Sequence, residues 1–305
     1  MLRRRAKWLA AFLLGGVLLM GGIYGALVWS AGEPARDHPF FKDDAPRRPL
    51  VIAHRGGAGL WPENTLHAFE RAAKMGVEAL ELDVRLTADG ALVVIHDAAV
   101  DRTTDGRGLV GRMTLEELKR LDAAHNFSAD GGRTFPLRGQ GVAVPTLAEV
   151  FEALPSMRFV IEPKQGTPSP TRALCRAIEE HSMAERVVVG SFSQEVLEEF
   201  RGECPRVATS AGPREVSRFL ALQKTGLSAS FDATMQALQV PERVGGARVL
   251  TREFVEAAHE RNLEVHAWTV NDEAGMRALV EMRVDGIMTD YPDRLMRLLG
   301  RDPSP

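Results

Sequence analysis

From Leu50 to Leu299 the chain repeats one unit: a short apolar run, a polar turn, then a helical stretch apolar on one face. Strands joined by helical crossovers pair in parallel, with right-handed connections. About eight such units over about 250 residues imply α/β architecture, a (β/α)8 barrel, with a doubly wound open sheet as the alternative. Strands are expected at 50–53, 78–87, 158–161, 187–189, 206–209, 263–269 and 286–288. Helices are expected at 64–75, 147–154, 171–181, 194–201, 215–224, 252–261 and 273–282. No G-x-G-x-x-G follows the first strand, which argues against a dinucleotide site.

Two stretches break the rhythm. Residues 98–144 follow a third strand at 91–95 and read as a small inserted subdomain covering one rim, with a short helix opened by the capping box Thr114 to Glu117. Residues 227–249 are ambiguous and are expected to hold one strand.

The amino terminus is of another kind. Arg3, Arg4, Arg5 and Lys7 precede residues 8–29, which carry no charge. As a helix this stretch rises about 33 Å, enough to cross a bilayer. Trp8 and Trp29 sit at its ends, where interfacial aromatics belong. The basic stub stays in the cytoplasm, so the rest of the chain lies on the extracytoplasmic side. A cleaved signal is the weaker alternative, because the best candidate site, ending at Ala31, has bulky Trp29 two residues earlier. Residues 1–30 are therefore expected to be a basic stub and a single transmembrane anchor. Residues 31–49 are expected to be a linker, and 50–300 the barrel.

Composition narrows the partners. With 45% hydrophobic and 26% charged residues the chain is globular. Setting aside the four amino-terminal basic residues leaves 34 basic (38 less four) against 41 acidic. That balance excludes a broad nucleic-acid face but leaves room for a small phosphate compound. Cys175 and Cys204 lack metal-ligand spacing; buried small residues are expected in preference to a disulfide.

The chemistry gathers at strand ends. Residues 51–65, VIAHRGGAGLWPENT, release His54 and Arg55 over a glycine turn. Arginine can grip a phosphate bidentately. In residues 78–87, EALELDVRLT, alternation puts Glu81 and Asp83 on one face, opposite Leu80, Leu82 and Val84. Two carboxylates on one face need a cation, unless this is an edge strand with a solvated face. In a barrel, strand carboxyl ends share one rim, which brings these residues together with His96, Glu162, Lys164 and Trp268. Three carboxylates without cysteine suit a hard cation, Mg²⁺ or Ca²⁺. Arg55 and Lys164 suit an anionic substrate, and two histidines offer an acid and a base. Trp268 is a substrate platform or packing; Asp290 is a site residue or a cap for the last helix.

These residues carry a family resemblance. The run HRG (54–56), PENT (62–65), E-x-D (81 and 83), HD (96–97), RTT-x-G (102–106), TLEEL (114–118), PTL (145–147), E-x-K (162 and 164), WTVN (268–271) and GIMTDYP (286–292) resembles the glycerophosphodiester phosphodiesterases. The resemblance implies a distorted (β/α)8 barrel that hydrolyses glycerophosphodiesters to an alcohol and sn-glycerol 3-phosphate. It implies His54 and His96 as the acid–base pair, and Glu81, Asp83 and Glu162 as ligands of a divalent metal. It implies Arg55 and Lys164 as phosphate contacts. Membrane tethering leaves a lysophospholipase D-like activity as an alternative. A non-catalytic barrel ranks last, since both histidines and all three carboxylates are present. Pro62 to Thr65 are read as the helix start that holds the His-Arg loop, with Glu63 at most a further contact.

Overall fold

A computed structural model describes residues 8, 14–16, 19–26, 31–42 and 49–303. Eight parallel strands curl into a barrel: β1 Leu50–Ala53, β2 Ala79–Leu86, β4 Arg158–Pro163, β5 Val187–Val189, β6 Ala208–Thr209, β7 Ala237–Val240, β10 Glu264–Ala267 and β11 Gly286–Thr289. Their order is β6-β5-β4-β2-β1-β11-β10-β7. The seam between β6 and β7 is held by the parallel bridge Ser210 to Ala237. Two hydrogen bonds flank it, from Gln236 N to Thr209 O (3.0 Å) and from Ala211 N to Ala237 O (2.8 Å).

Alternation divides the strand side chains between two cores. Val51, Ala53, Leu80, Leu82, Ile161, Val265 and Ile287 face outward onto the helices. Ile52, Ala79, Val160, Val188, Ala208 and Met288 face inward as a separate layer. Helix starts are set by side-chain caps at Thr65, Thr146, Ser193, Thr251 and Asp272. Gly76, at φ 94°, ends the first of these helices in the left-handed conformation.

The third strand does not join the barrel. β3, Leu92–Val94, folds back on the end of β2 as an antiparallel hairpin and stays outside the barrel. The cause is the short loop 88–90, closed by Gly90 N–H donating to Thr87 O at 3.1 Å with Gly90 at φ 81°, which can join only antiparallel strands. The eighth barrel strand comes instead from the ambiguous 227–249 stretch as β7, followed by the small hairpin β8 (Arg243–Val244) and β9 (Ala247–Arg248). Residues 98–144 pack around a small core of their own, including Val100, Val110, Leu118 and Val144.

The cysteine expectation is corrected: Cys175 and Cys204 form a disulfide between neighbouring helices. Both are buried, and helical packing brings together positions 29 apart in sequence, which spacing alone does not reveal.

The expected span at 8–29 lies in large part outside the described residues. Among the described residues no helix is long and apolar enough to cross a membrane. Part of the expected linker behaves differently from a free tether. Residues 31–42 lie against the amino-terminal end of the barrel, and Phe40 plugs the inner apolar layer from below. Arg158 Nη1 donates to Phe40 O at 3.0 Å and its guanidinium lies over the ring. Phe40 is fully buried, so Phe40→Ala is expected to destabilise the barrel by about 3–5 kcal/mol. Urea unfolding at neutral pH measures this.

Candidate active site

Register decides which strand ends meet. β2 pairs with β4 so that Asp83 lies opposite Glu162, and with β1 so that Leu80 lies opposite Ala53. Glu81, Asp83 and Glu162 are therefore the inward positions above the apolar layer. Each offers an oxygen, and these oxygens all lie within 4.8 Å of one another. Glu81 and Asp83 are 3% and 0% exposed. Burial and the charge of Asp83 push the Glu81 carboxyl up to about 7, and burial also raises that of Glu162.

Two cations neutralise part of this charge. Lys164 Nζ lies 2.8 Å from Glu162 and 3.2 Å from Asp83 Oδ1, and Arg55 Nε lies 3.3 Å from Asp83 Oδ2. Beyond this ion pair with Lys164, Asp83 Oδ1 is buried with no hydrogen bond among the described residues. Three converging carboxylates with an unsatisfied oxygen fit a hard divalent cation. Asn64 locks the other side of Asp83. Its Nδ2 donates to Oδ2 at 2.8 Å, and Asp83 N donates back to its Oδ1 at 3.2 Å. Asn64 has φ 57°, a conformation asparagine tolerates.

The first loop turns as its glycines suggest. Arg55 (φ 51°) and Gly57 (φ 92°) are left-handed, so the Arg55 N–H points down onto Glu81 Oε2 at 2.8 Å. His54 then stands beside the carboxylate cluster. Its Nδ1 is 2.6 Å from Asp290 Oδ1, and its Nε2 is 3.9 Å from Glu81. Burial lowers the His54 pKa, but Glu81 and Asp290 together outweigh it and leave the pKa raised. Asp290 is held by Asn271 Nδ2 at 2.7 Å. It is thus a partner of His54 and makes no side-chain cap on the last helix, Pro292–Leu298.

His96 has a matching arrangement. Its Nδ1 is 2.6 Å from Asp97 Oδ1, and its pKa is lowered, chiefly by burial. Each histidine therefore has a carboxylate behind Nδ1, which orients the ring and leaves Nε2 as the nitrogen not engaged by that carboxylate.

Reading the sequence missed the network that joins these parts. Glu63, expected to be a minor contact, accepts from Arg55 Nη1 at 2.9 Å and from Arg102 Nη1 and Nη2 at 2.7 Å each. Arg102 Nε also donates to Asp97 Oδ2 at 2.7 Å. A chain of ion pairs runs Arg55–Glu63–Arg102–Asp97–His96, tying the inserted subdomain to the first loop. Arg102 lies in the quoted RTT motif, so its position was visible and its partners were not. Arg102→Ala is expected to lower kcat about 10- to 100-fold, with little change in KM, by freeing Asp97 and His96. Arg102→Lys should recover little of it, since lysine lacks the bidentate fork. Steady-state kinetics of the two variants decide this.

Trp268 is half-buried at the rim. It packs edge-on against exposed Phe192, 5.4 Å between centroids, and Lys164 Nζ lies 5.8 Å from the Phe192 ring. Phe192 was not singled out from sequence. All the expected site residues thus share the carboxyl-terminal rim.

Comparison with known proteins agrees with this geometry. The sequence pattern of the Glycerophosphoryl diester phosphodiesterase family matches residues 54–294. A glycerophosphodiester phosphodiesterase of Caldanaerobacter subterraneus subsp. tengcongensis is 36% identical over 255 residues, 82% of this chain and 97% of that one. The crystal structure of a glycerophosphodiester phosphodiesterase from Agrobacterium tumefaciens is similar with a TM-score of 0.65 and 27% identity. That likeness covers 82% of this chain and 99% of the other. A phosphodiesterase of Oleispira antarctica, solved with the product sn-glycerol-3-phosphate, is similar with a TM-score of 0.66 and 27% identity, covering 83% and 97%. A barrel rim carrying paired histidines and clustered carboxylates, together with these likenesses, places the chain in the glycerophosphodiester phosphodiesterase family, as a phosphoric diester hydrolase.

Proposed function

We propose that the rim hydrolyses glycerophosphodiesters to an alcohol and sn-glycerol 3-phosphate, with His54 and His96 as the proton carriers. The observation that carries this is the carboxylate cluster with its unsatisfied Asp83 oxygen, set with two carboxylate-backed histidines. Glu81, Asp83 and Glu162 would hold a divalent cation, Mg²⁺ or Ca²⁺, whose chemistry is Lewis-acid polarisation of a phosphoryl oxygen. Arg55 and Lys164 balance the charge of the phosphate, and Trp268 with Phe192 walls the side of the departing alcohol. One histidine takes the proton of the attacking hydroxyl, and the other returns a proton to the leaving alcohol oxygen. The attacking hydroxyl belongs to water, or to the glycerol carbon adjacent to the one that bears the phosphate; in the second case the alcohol leaves as a cyclic phosphate forms, and water then opens the ring to sn-glycerol 3-phosphate. A cyclic phosphate trapped in single-turnover reactions would assign it to glycerol. The Oleispira antarctica relative's product complex supports the same product here.

The decisive assay is a metal-by-substrate matrix on the full chain. After chelation, glycerophosphocholine hydrolysis should vanish and return with Mg²⁺ or Ca²⁺. Full activity after rigorous metal removal refutes the cation's role.

The catalytic domain is proposed to work on the extracytoplasmic side, anchored by residues 8–29. Described parts of that stretch are helical, at 14–16 and 19–26, and expose Leu14, Leu19, Met20 and Ile23. The Cys175–Cys204 disulfide is consistent with an oxidising compartment. The full chain should resist carbonate extraction from membranes.

A further inference from the structure

The strap formed by residues 31–42 makes a consistent set of contacts. Gly32 N donates to Ala229 O at 2.9 Å, and Glu33 N to Asp232 Oδ1 at 2.9 Å. Ala35 N donates to Arg261 O at 2.9 Å, and Asn262 Nδ2 returns to Ala35 O at 2.8 Å. A His38 ring nitrogen is 3.1 Å from Arg206 O, and Arg158 reaches Phe40 O. Ala229 and Asp232 precede β7, Arg261 and Asn262 precede β10, Arg206 precedes β6, and Arg158 opens β4. Every partner lies at the floor, the amino-terminal end of the strands. The catalytic residues described above all lie at the opposite end.

Little chain separates this strap from the apolar stretch. From Trp29 to Gly32 is three residues, about 10 Å when fully extended. Tyr24, near the end of that stretch, donates its hydroxyl to Thr225 O at 3.1 Å, also in the loop before β7. The flanking helices, such as Glu273–Met282 with 10 residues, put at least about 15 Å between floor and rim.

We infer that the floor of the barrel, and not its catalytic mouth, faces the lipid bilayer, so the site takes soluble glycerophosphodiesters rather than lysolipids of its own membrane. This rests on the anchor reading given above. The strap pins the floor near the membrane surface at several points, which stops the barrel from rolling over on a long tether. A lysolipid held in the bilayer keeps its phosphodiester at the interface, on the wrong side of the barrel. A headgroup diester already freed of both acyl chains diffuses to the outward mouth. The reaction that supplies the substrate is then a deacylation carried out elsewhere.

The test uses the full chain reconstituted in phosphatidylcholine vesicles. Lys224→Cys places a fluorophore at the floor and Glu273→Cys at the rim, both exposed and outside the catalytic set. Nitroxide-labelled lipids should quench the floor label strongly and leave the rim label nearly unchanged. In the same vesicles, kcat/KM for glycerophosphocholine should exceed that for bilayer lysophosphatidylcholine by at least about 10-fold, because the mouth does not reach the interface. Equal turnover of the two substrates, or equal quenching of the two labels, overturns the orientation while leaving the anchor standing. Release of the full chain by carbonate overturns the anchor, and the inference with it; activity on glycerophosphocholine would then be unaffected.

Discussion

His54→Ala and His96→Ala are each expected to lower kcat by about 10²–10⁴-fold, the usual contribution of one positioned proton carrier. Neither change should unfold the barrel. His96 is partly exposed, and His54 sits above the apolar inner layer rather than in it. Thermal unfolding followed by circular dichroism should therefore stay near wild type while turnover collapses. The double variant should be little worse than either single one, because the two histidines act in one proton-transfer sequence. The pH–rate profile of the wild type should be bell-shaped, and each single variant should lose one limb of its residual activity. Near-normal kcat in either purified variant would refute the pairing.

Glu81→Gln should be comparably severe through the carboxylate cluster. Glutamine keeps an oxygen that can accept the Arg55 N–H, so the first loop should hold its shape. What disappears is one of three converging charges. Binding of Mg²⁺ or Ca²⁺ should weaken by at least about 10-fold, and activity should fall with it. Without metal the variant should be no less stable than wild type, since burial and Asp83 already oppose the Glu81 charge. With metal at 100 times the wild-type Kd, wild type should gain about 2.7 kcal/mol, and the variant at most about 1.4 kcal/mol at the same concentration. The Glu81 carboxyl, pushed up to about 7, holds a proton below that pH and loses it above. Metal must displace this proton, so wild-type affinity should fall as pH drops through 7, and Glu81→Gln should lose that dependence. Calorimetry in buffers of different ionisation enthalpy reads the released proton directly. A pH-independent affinity in wild type would remove Glu81 from the ligand set.

Much of this protein is legible without coordinates, for a definite reason. Period-two alternation in 78–87 assigns Glu81 and Asp83 to one face, and parallel topology assigns that face to the barrel interior. His54, Arg55, Glu162 and Lys164 follow because every barrel strand ends on the same rim. Helix starts at Thr65, Thr146 and Thr251 are local hydrogen-bond chemistry, so they too can be read residue by residue.

What the tertiary structure decided is of another kind. The roles of Asp290, Asp97, Glu63, Arg102 and Asn64 depend on partners brought close by folding, such as His54 with Asp290, 236 positions apart. The Cys175–Cys204 bond and the docking of Phe40 against Arg158 are likewise contacts between distant segments. Local periodicity reports which way a side chain points, but not which other side chain it meets. The sequence by itself therefore determined the barrel, the charge on its rim and the family. Only the packed structure decided what orients each histidine, where the amino-terminal strap lies, and hence which end of the barrel that strap holds.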